Sequence, residues 1–246
     1  VKDGYDAGHG LPFDSQGMKE RYPGVFFSQF TGAELVADKW NLSREDLDKF
    51  ALESHQKAAH ATESKYFDRE ILPVEGRNAE GMNDLVMADE GIRFDASLDK
   101  LAGLNPVTEG GVITAGNASQ ITDGAAAVMV CNDAGLKKIQ ANPRAEIVSI
   151  SVVGDDPVFM LTGPIPASIQ ALKTANLTID DMDLYEVNEA FAPVPLAWAE
   201  DLKADRSKLN VNGGAMALGH PLGATGAKLM TTLLHEMERR ESRMDS

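Results

Sequence analysis

The densest group of residues suited to chemistry in this chain of 246 residues is Asn210-Val-Asn-Gly-Gly-Ala-Met-Ala-Leu-Gly-His-Pro-Leu-Gly-Ala-Thr-Gly226. Five glycines, at 213, 214, 219, 223 and 226, surround a single histidine, His220. Glycine lets the backbone take positive φ and pass close to a ligand, and an imidazole exchanges protons near neutral pH. The segment has no Gly-Lys-Ser/Thr and no Gly-x-Gly-x-x-Gly, so it is neither a P-loop nor a dinucleotide fingerprint. Spacing alone leaves two readings: a proton-transfer site, or a glycine-rich turn with a satisfied surface histidine.

A second group is Glu186-Val-Asn-Glu-Ala-Phe-Ala192. Asn188 follows a strand-like run and opens a helix, the strand-end position where α/β proteins place ligands. Its amide either caps that helix or holds a water or substrate oxygen. A third is Thr114-Ala-Gly-Asn-Ala-Ser119, another apolar run entering a polar turn; an ordinary turn with Asn117 in an unusual conformation explains it equally well. His55 and His60 stand five apart on a helical stretch and share no face. Cys131 ends an apolar run and reads as a buried structural thiol.

The elements that must position these groups follow from capping and periodicity. Thr31-Gly-Ala-Glu34 and Ser43-Arg-Glu-Asp46 both fit the capping box, which predicts helices over 32–40 and 44–64. Residues 73–110 are rich in Gly, Asn, Asp and Pro and read as loop with short elements. Residues 112–115 and 125–131 are short apolar runs, and the β-branched run 146–153 predicts a buried strand. A helix over 167–175, a strand over 184–187 and a helix from Asn188 with its prolines in the first turns come next. Residues 210–214 are a strand end and tight turn. A last helix begins near Ala224, with Leu229, Met230, Leu233, Leu234 and Met237 on one face. Strands alternating with helices predict an α/β layered fold.

Composition narrows the function. Lys+Arg number 23 against 38 Asp+Glu, a formal net charge of −15, which repels a polyphosphate duplex and argues against nucleic-acid partners. With one cysteine there is no internal disulfide framework and no Cys-based zinc site. No run reaches the roughly 18 apolar residues of a membrane span, and residues 1–5 carry no basic-then-apolar signal segment; a cytoplasmic protein is expected. The chain opens on Val rather than Met, as a sequence beginning inside a longer one would.

Taken together, the three groups resemble the thiolase family (acetyl-CoA acetyltransferases and 3-ketoacyl-CoA thiolases). Asn210–Gly226 is similar to the family's signature around its active-site histidine, and Asn188-Glu-Ala-Phe-Ala192 to its asparagine motif. Thr114–Ser119 followed by Asp123-Gly-Ala-Ala-Ala127, and Gly163-Pro-Ile-Pro-Ala167, are similar to two further blocks, all in the family's order. Ketosynthases carry different histidine and asparagine motifs. The resemblance implies an αβαβα layered fold that is incomplete here. Residues 1–110 would be a CoA-covering loop domain, 111–134 the end of the N-terminal thiolase half, and 135–246 the C-terminal half lacking its last strands.

The resemblance also implies roles. His220 would act as base on a nucleophilic cysteine or on the CoA thiol, and Asn188 would hold a water that completes an oxyanion hole with it. Ser119, Phe191, Met160 and Arg93 would contact coenzyme A, which is a substrate; no cofactor or metal is implied. Partners would be acyl-CoA and, for the complete protein, further copies of itself. The family's nucleophilic and acid/base cysteines have no counterpart in these residues, and Cys131 sits in the wrong block to replace either. Near Ser28-Gln29 many short-chain thiolases have His-Met, which leaves the acyl-chain length open. The resemblance therefore implies a thiolase-type acyltransferase that is inactive as this chain alone, against two alternatives: a non-catalytic CoA-binding protein, or a partner subunit of an intact thiolase.

Overall fold

The computed structural model describes residues 6–77 and 81–240; the readings attached to residues 1–5 and 241–246 lie outside them. Helices set the frame. After a short α1 (Gln16–Arg21) come α2 (Gln29–Lys39) and α3 (Arg44–Glu63). The capping box expected at Ser43 is formed: its hydroxyl accepts Asp46 N–H and Asp46 accepts Ser43 N–H. The one expected at Thr31 is not. Here α2 starts earlier, at Gln29, so Thr31 lies inside the helix, and Glu34 instead accepts the backbone amides of Val112 and Ile113 at 3.0–3.1 Å. Two long-range amides outcompete a local cap.

Strand β1 (Val74–Arg77) pairs antiparallel with β2 (Asn83–Val86), and a short α4 spans Leu98–Ala102. Then follow α5 (Asp133–Ile139), α6 (Pro164–Ala175), α7 (Pro193–Leu202), α8 (Ala215–Leu218) and α9 (Thr225–Arg239). The main core joins α2, α3 and α7 through Ala33, Val36, Leu47, Phe50, Leu196 and Trp198. Helix α3 also packs on α8, and α6 on α7. The fold is mixed α/β. Among the described residues no helix is long and apolar enough to cross a membrane, and no group of three or more His, Cys, Asp or Glu is placed to hold a metal ion.

Several expected elements differ. Residues 146–153 are not a buried strand. The burial alternates as in extended chain, but Val148, Ile150 and Val152 face solvent, Val152 being 90% exposed. Residues 125–131 likewise pair with no strand among the described residues, so Met129 and Val130 are exposed and Cys131 is an exposed thiol rather than a buried one. The expected strand at 184–187 is reduced to one parallel bridge between Tyr185 and Leu209. Helix α7 starts at Pro193 rather than Asn188, because the backbone of 190–192 is bonded elsewhere. In α9 the buried face is polar, with Thr225, Thr232 and Glu236, while Met230 of the apolar stripe is exposed.

Candidate active site

The site is assembled on the short strip 117–120. Asn117 is fully buried and makes the turn: its Oδ1 accepts Thr114 N–H at 2.8 Å, and its Nδ2 donates to Val112 O and to Asp48 Oδ1, each at 3.0 Å. Asp48 is in turn paired with Arg44, so the turn is anchored on α3. Beyond it the backbone is pinned from both sides. Ala192 N–H donates to Asn117 O and Ser119 N–H to Ala190 O, each at 2.9 Å, with an antiparallel bridge between Ala118 and Phe191. On the other edge His220 N–H donates to Gln120 O at 3.1 Å. The Gln120 side chain donates to Gly91 O and Met216 O, each at 2.7 Å. Three stretches far apart in sequence thus meet on four residues.

The asparagine turn is held from beneath by Asn210. Its Oδ1 accepts Val187 N–H, and its Nδ2 donates to Val187 O and Glu189 Oε1, all at 2.8–2.9 Å. Glu189 is 1% exposed, and its other oxygen accepts the Ser54 hydroxyl at 2.7 Å and Met216 N–H at 3.2 Å. Burial raises its pKa, and those donors act against the rise. Gly214 must be glycine, since a Cβ there would overlap the Glu189 carboxyl.

The histidine turn needs Gly219, whose φ is +87° and whose missing side chain leaves room for Thr122. His220 itself is half-buried, and desolvation lowers its pKa, which favours the neutral imidazole. Its Nε2 lies 3.3 Å from Asn188 Nδ2. An amide nitrogen offers only hydrogens, so Nε2 is the acceptor and its lone pair points at the Asn188 amide. Its Nδ1 lies 2.6 Å from Thr225 Oγ1. Asn188 Oδ1 is buried with no partner among the described residues, as is Thr122 Oγ1. A buried acceptor without a donor costs about 1–3 kcal/mol, so the orphaned oxygen is the place where a water or substrate hydrogen would be held. An open cleft of about 460 Å³, lined by Thr122, Asp123, Gly124, Pro221, Leu222 and Gly223, adjoins the histidine turn.

Ser119, Asn188, Phe191 and His220 are therefore brought together. Phe191 is buried and its ring meets Phe30 edge-on at 5.4 Å. Met160, at φ +62°, packs against Gly32 of α2, the helix that also supplies Phe30. Arg93 stands outside the strip. Its backbone N–H donates to His55 Nδ1 at 3.1 Å, two residues from the Gly91 carbonyl that Gln120 holds, and its side chain is exposed. Cys131 lies exposed at the start of α5, beside Gly135. Sequence reasoning missed Gln120, for which no spacing gives a signal. It also gave no role to Thr225, Asn210 or Glu189, although they lie within the motifs that carry His220 and Asn188.

Comparison with known proteins shows the family and fold that this chain is similar to. A family model described as the N-terminal domain of thiolase matches residues 15–134, and one described as the C-terminal domain of thiolase matches residues 141–245. The chain is 51% identical over 226 residues to the steroid 3-ketoacyl-CoA thiolase FadA6 of Mycobacterium tuberculosis, covering 92% of this chain and 54% of that protein. The crystal structure of an acetyl-CoA acetyltransferase from Bacillus anthracis superposes with a TM-score of 0.84 at 40% identity, covering 89% of this chain and 56% of that one. Human mitochondrial 3-ketoacyl-CoA thiolase in complex with CoA gives a TM-score of 0.77 at 41% identity, covering 86% and 52%. The chain spans about half the length of the relatives it matches.

Proposed function

The chain belongs to the thiolase family, and we propose that it carries the imidazole–carboxamide half of a thiolase acyl-transfer centre for 3-ketoacyl-CoA. The observation that carries this reading is the pair itself: Asn188 Nδ2 at 3.3 Å from His220 Nε2, with Asn188 Oδ1 buried and, among the described residues, unpartnered. In thiolytic cleavage a cysteine thiolate attacks the C3 carbonyl, the C2–C3 bond breaks, and acetyl-CoA leaves as its enolate and takes up a proton. CoA thiolate then displaces the acyl group from sulfur. His220 Nε2, held as an acceptor, takes the thiol proton that makes either nucleophile. Once protonated, it is a donor for the enolate oxygen. The Asn188 oxygen orders a water as the second donor. Preorganised donors of this kind are each worth roughly 3–4 kcal/mol in the transition state.

Ser119, Phe191, Met160 and Arg93 are proposed to contact CoA. The placement of Ser119 on the strip and of Phe191 bridged to it supports this, as does a neighbour solved in complex with CoA. The division into 1–110, 111–134 and 135–246 belongs to the same proposal, supported by family matches that meet between residues 134 and 141. So do a cytoplasmic setting, in keeping with a free thiol, and assembly with further copies. No thiol stands beside His220, since the only cysteine is the exposed Cys131. We therefore expect this chain by itself to bind CoA without turning it over, which is where the reading of a non-catalytic CoA-binding or partner chain gains its support. Calorimetric titration with CoA should show saturable heat, and a mixture with acetoacetyl-CoA and CoA should show no thiolysis. Absence of CoA binding would remove the roles of Ser119, Phe191, Met160 and Arg93. Robust turnover would overturn the argument from the missing thiol.

A further inference from the structure

We propose that Thr225 is the positioning residue that fixes the tautomer and orientation of His220, an inference that rests on reading His220 as the base. The imidazole is held between two elements. On one side Nε2 meets Asn188 Nδ2 and must accept from it. A neutral ring has one proton, so that proton sits on Nδ1. Among the described residues the group bonded to Nδ1 is Thr225 Oγ1, at 2.6 Å, which therefore accepts it. The hydroxyl's own hydrogen has an outlet, the Pro221 carbonyl at 3.3 Å, so the donor–acceptor sequence runs in one direction: ring Nδ1–H to threonine oxygen, threonine O–H to carbonyl.

Thr225 is well placed for this. It is the first residue of α9 and 6% exposed, and its backbone N–H is bonded to the same Pro221 carbonyl at 3.1 Å. His220 N–H is bonded to Gln120 O. The turn between the two residues is closed at both ends, which holds the Thr225 backbone beside the ring. A neutral hydroxyl here orients the base without charging it, in contrast to the carboxylate that holds the imidazole of a Ser-His-Asp triad. The ring thus stays neutral, with the bare nitrogen on the side that faces Asn188, where a proton is to be removed. Loss of the acceptor releases the proton to Nε2, the nitrogen that must be bare.

The test is to read the tautomer of His220 directly by long-range ¹H–¹⁵N correlation of the imidazole nitrogens in the full 246-residue chain, at a pH above the imidazole range. Wild type and Thr225→Ser are expected to show a protonated Nδ1 and a bare Nε2. Thr225→Val, nearly isosteric but without the acceptor, is expected to shift the majority form to Nε2–H with an unchanged circular dichroism spectrum. A wild-type His220 carrying its proton on Nε2 would overturn the proposal, whatever the variants do. So would a folded Thr225→Val that keeps Nδ1–H. Calorimetry with CoA separates this outcome from failure of the functional reading, because CoA binding can be lost with the tautomer intact and retained with it altered.

Discussion

The Glu189 carboxylate accepts the Ser54 hydroxyl at 2.7 Å, joining the turn that carries Asn188 to the middle of α3, 135 positions away. The same hydroxyl accepts Gly214 N–H at 3.1 Å, so one small side chain ties the asparagine turn, the histidine segment and the long helix together. Ser54→Ala leaves a buried carboxylate and a buried amide each short of a partner. A loss of about 2–3 kcal/mol in urea unfolding is expected; a loss under about 0.5 kcal/mol would show that the junction does not hold the turns.

Gly214 is the second half of that junction. A Cβ there would overlap both oxygens of Glu189, which have no room to retreat because Ser54, Asn210 and Met216 hold them. Gly214→Ala should cost about 1–3 kcal/mol as an overpacked core site, and the His220 ring signals should move with it. Unfolding identical to wild type would contradict the close approach.

Two buried carboxyls set a pH dependence. Burial pushes Glu186 up to about 8 and Glu70 up to about 7, with Lys228 acting against both shifts. In the unfolded chain each ionises near 4.5. Between these values the folded chain keeps protons that the unfolded chain has released, so this part of the stability falls as pH rises from about 4.5 to about 8. His55 and His220, kept neutral by burial, act in the opposite direction. The difference between Glu186→Gln and wild type isolates one group: the variant should gain thermal stability relative to wild type on going from pH 5 to pH 8. A constant difference across that range would contradict the raised pKa.

The exposed apolar residues of 125–131 and 146–153 predict self-association. Ile150 and Val152 are 75% and 90% exposed, on backbone that pairs with no strand among the described residues, and unpaired edges recruit other chains. Light scattering should show concentration-dependent oligomers that Ile150→Lys with Val152→Lys reduces. A clean monomer at high concentration would contradict it.

The parts of the fold legible in the sequence are those whose cause is local. The Ser43–Asp46 cap needs only residues three apart, and Pro193 and Pro195 fall in the first turn of α7 as proline geometry requires. His220 and Asn188 stood out because glycine spacing and strand-end position mark turns that can hold a ligand. What stayed illegible depends on distant partners. Glu34 looks like a cap residue until the amides of Val112 and Ile113 claim it. The β-branched run 146–153 has the composition of a buried strand, yet burial requires a neighbour that composition does not supply. The polar face of α9 is buried because Asn212, Glu70 and two arginines satisfy it, against the rule that the apolar stripe turns inward. Gln120 has no motif of its own and acquires its place only when the strip 117–120 is assembled.

That a histidine turn and an asparagine turn form one ligand-holding site is tested most directly by titrating acetoacetyl-CoA into ¹⁵N-labelled chain while following the His220 ring and the Asn188 side-chain amide. Both sets of signals are expected to shift together along one saturation curve, and Asn188→Ala to abolish the shift at His220. Saturable binding that leaves both residues unmoved, or moves them with different midpoints, would contradict a shared site.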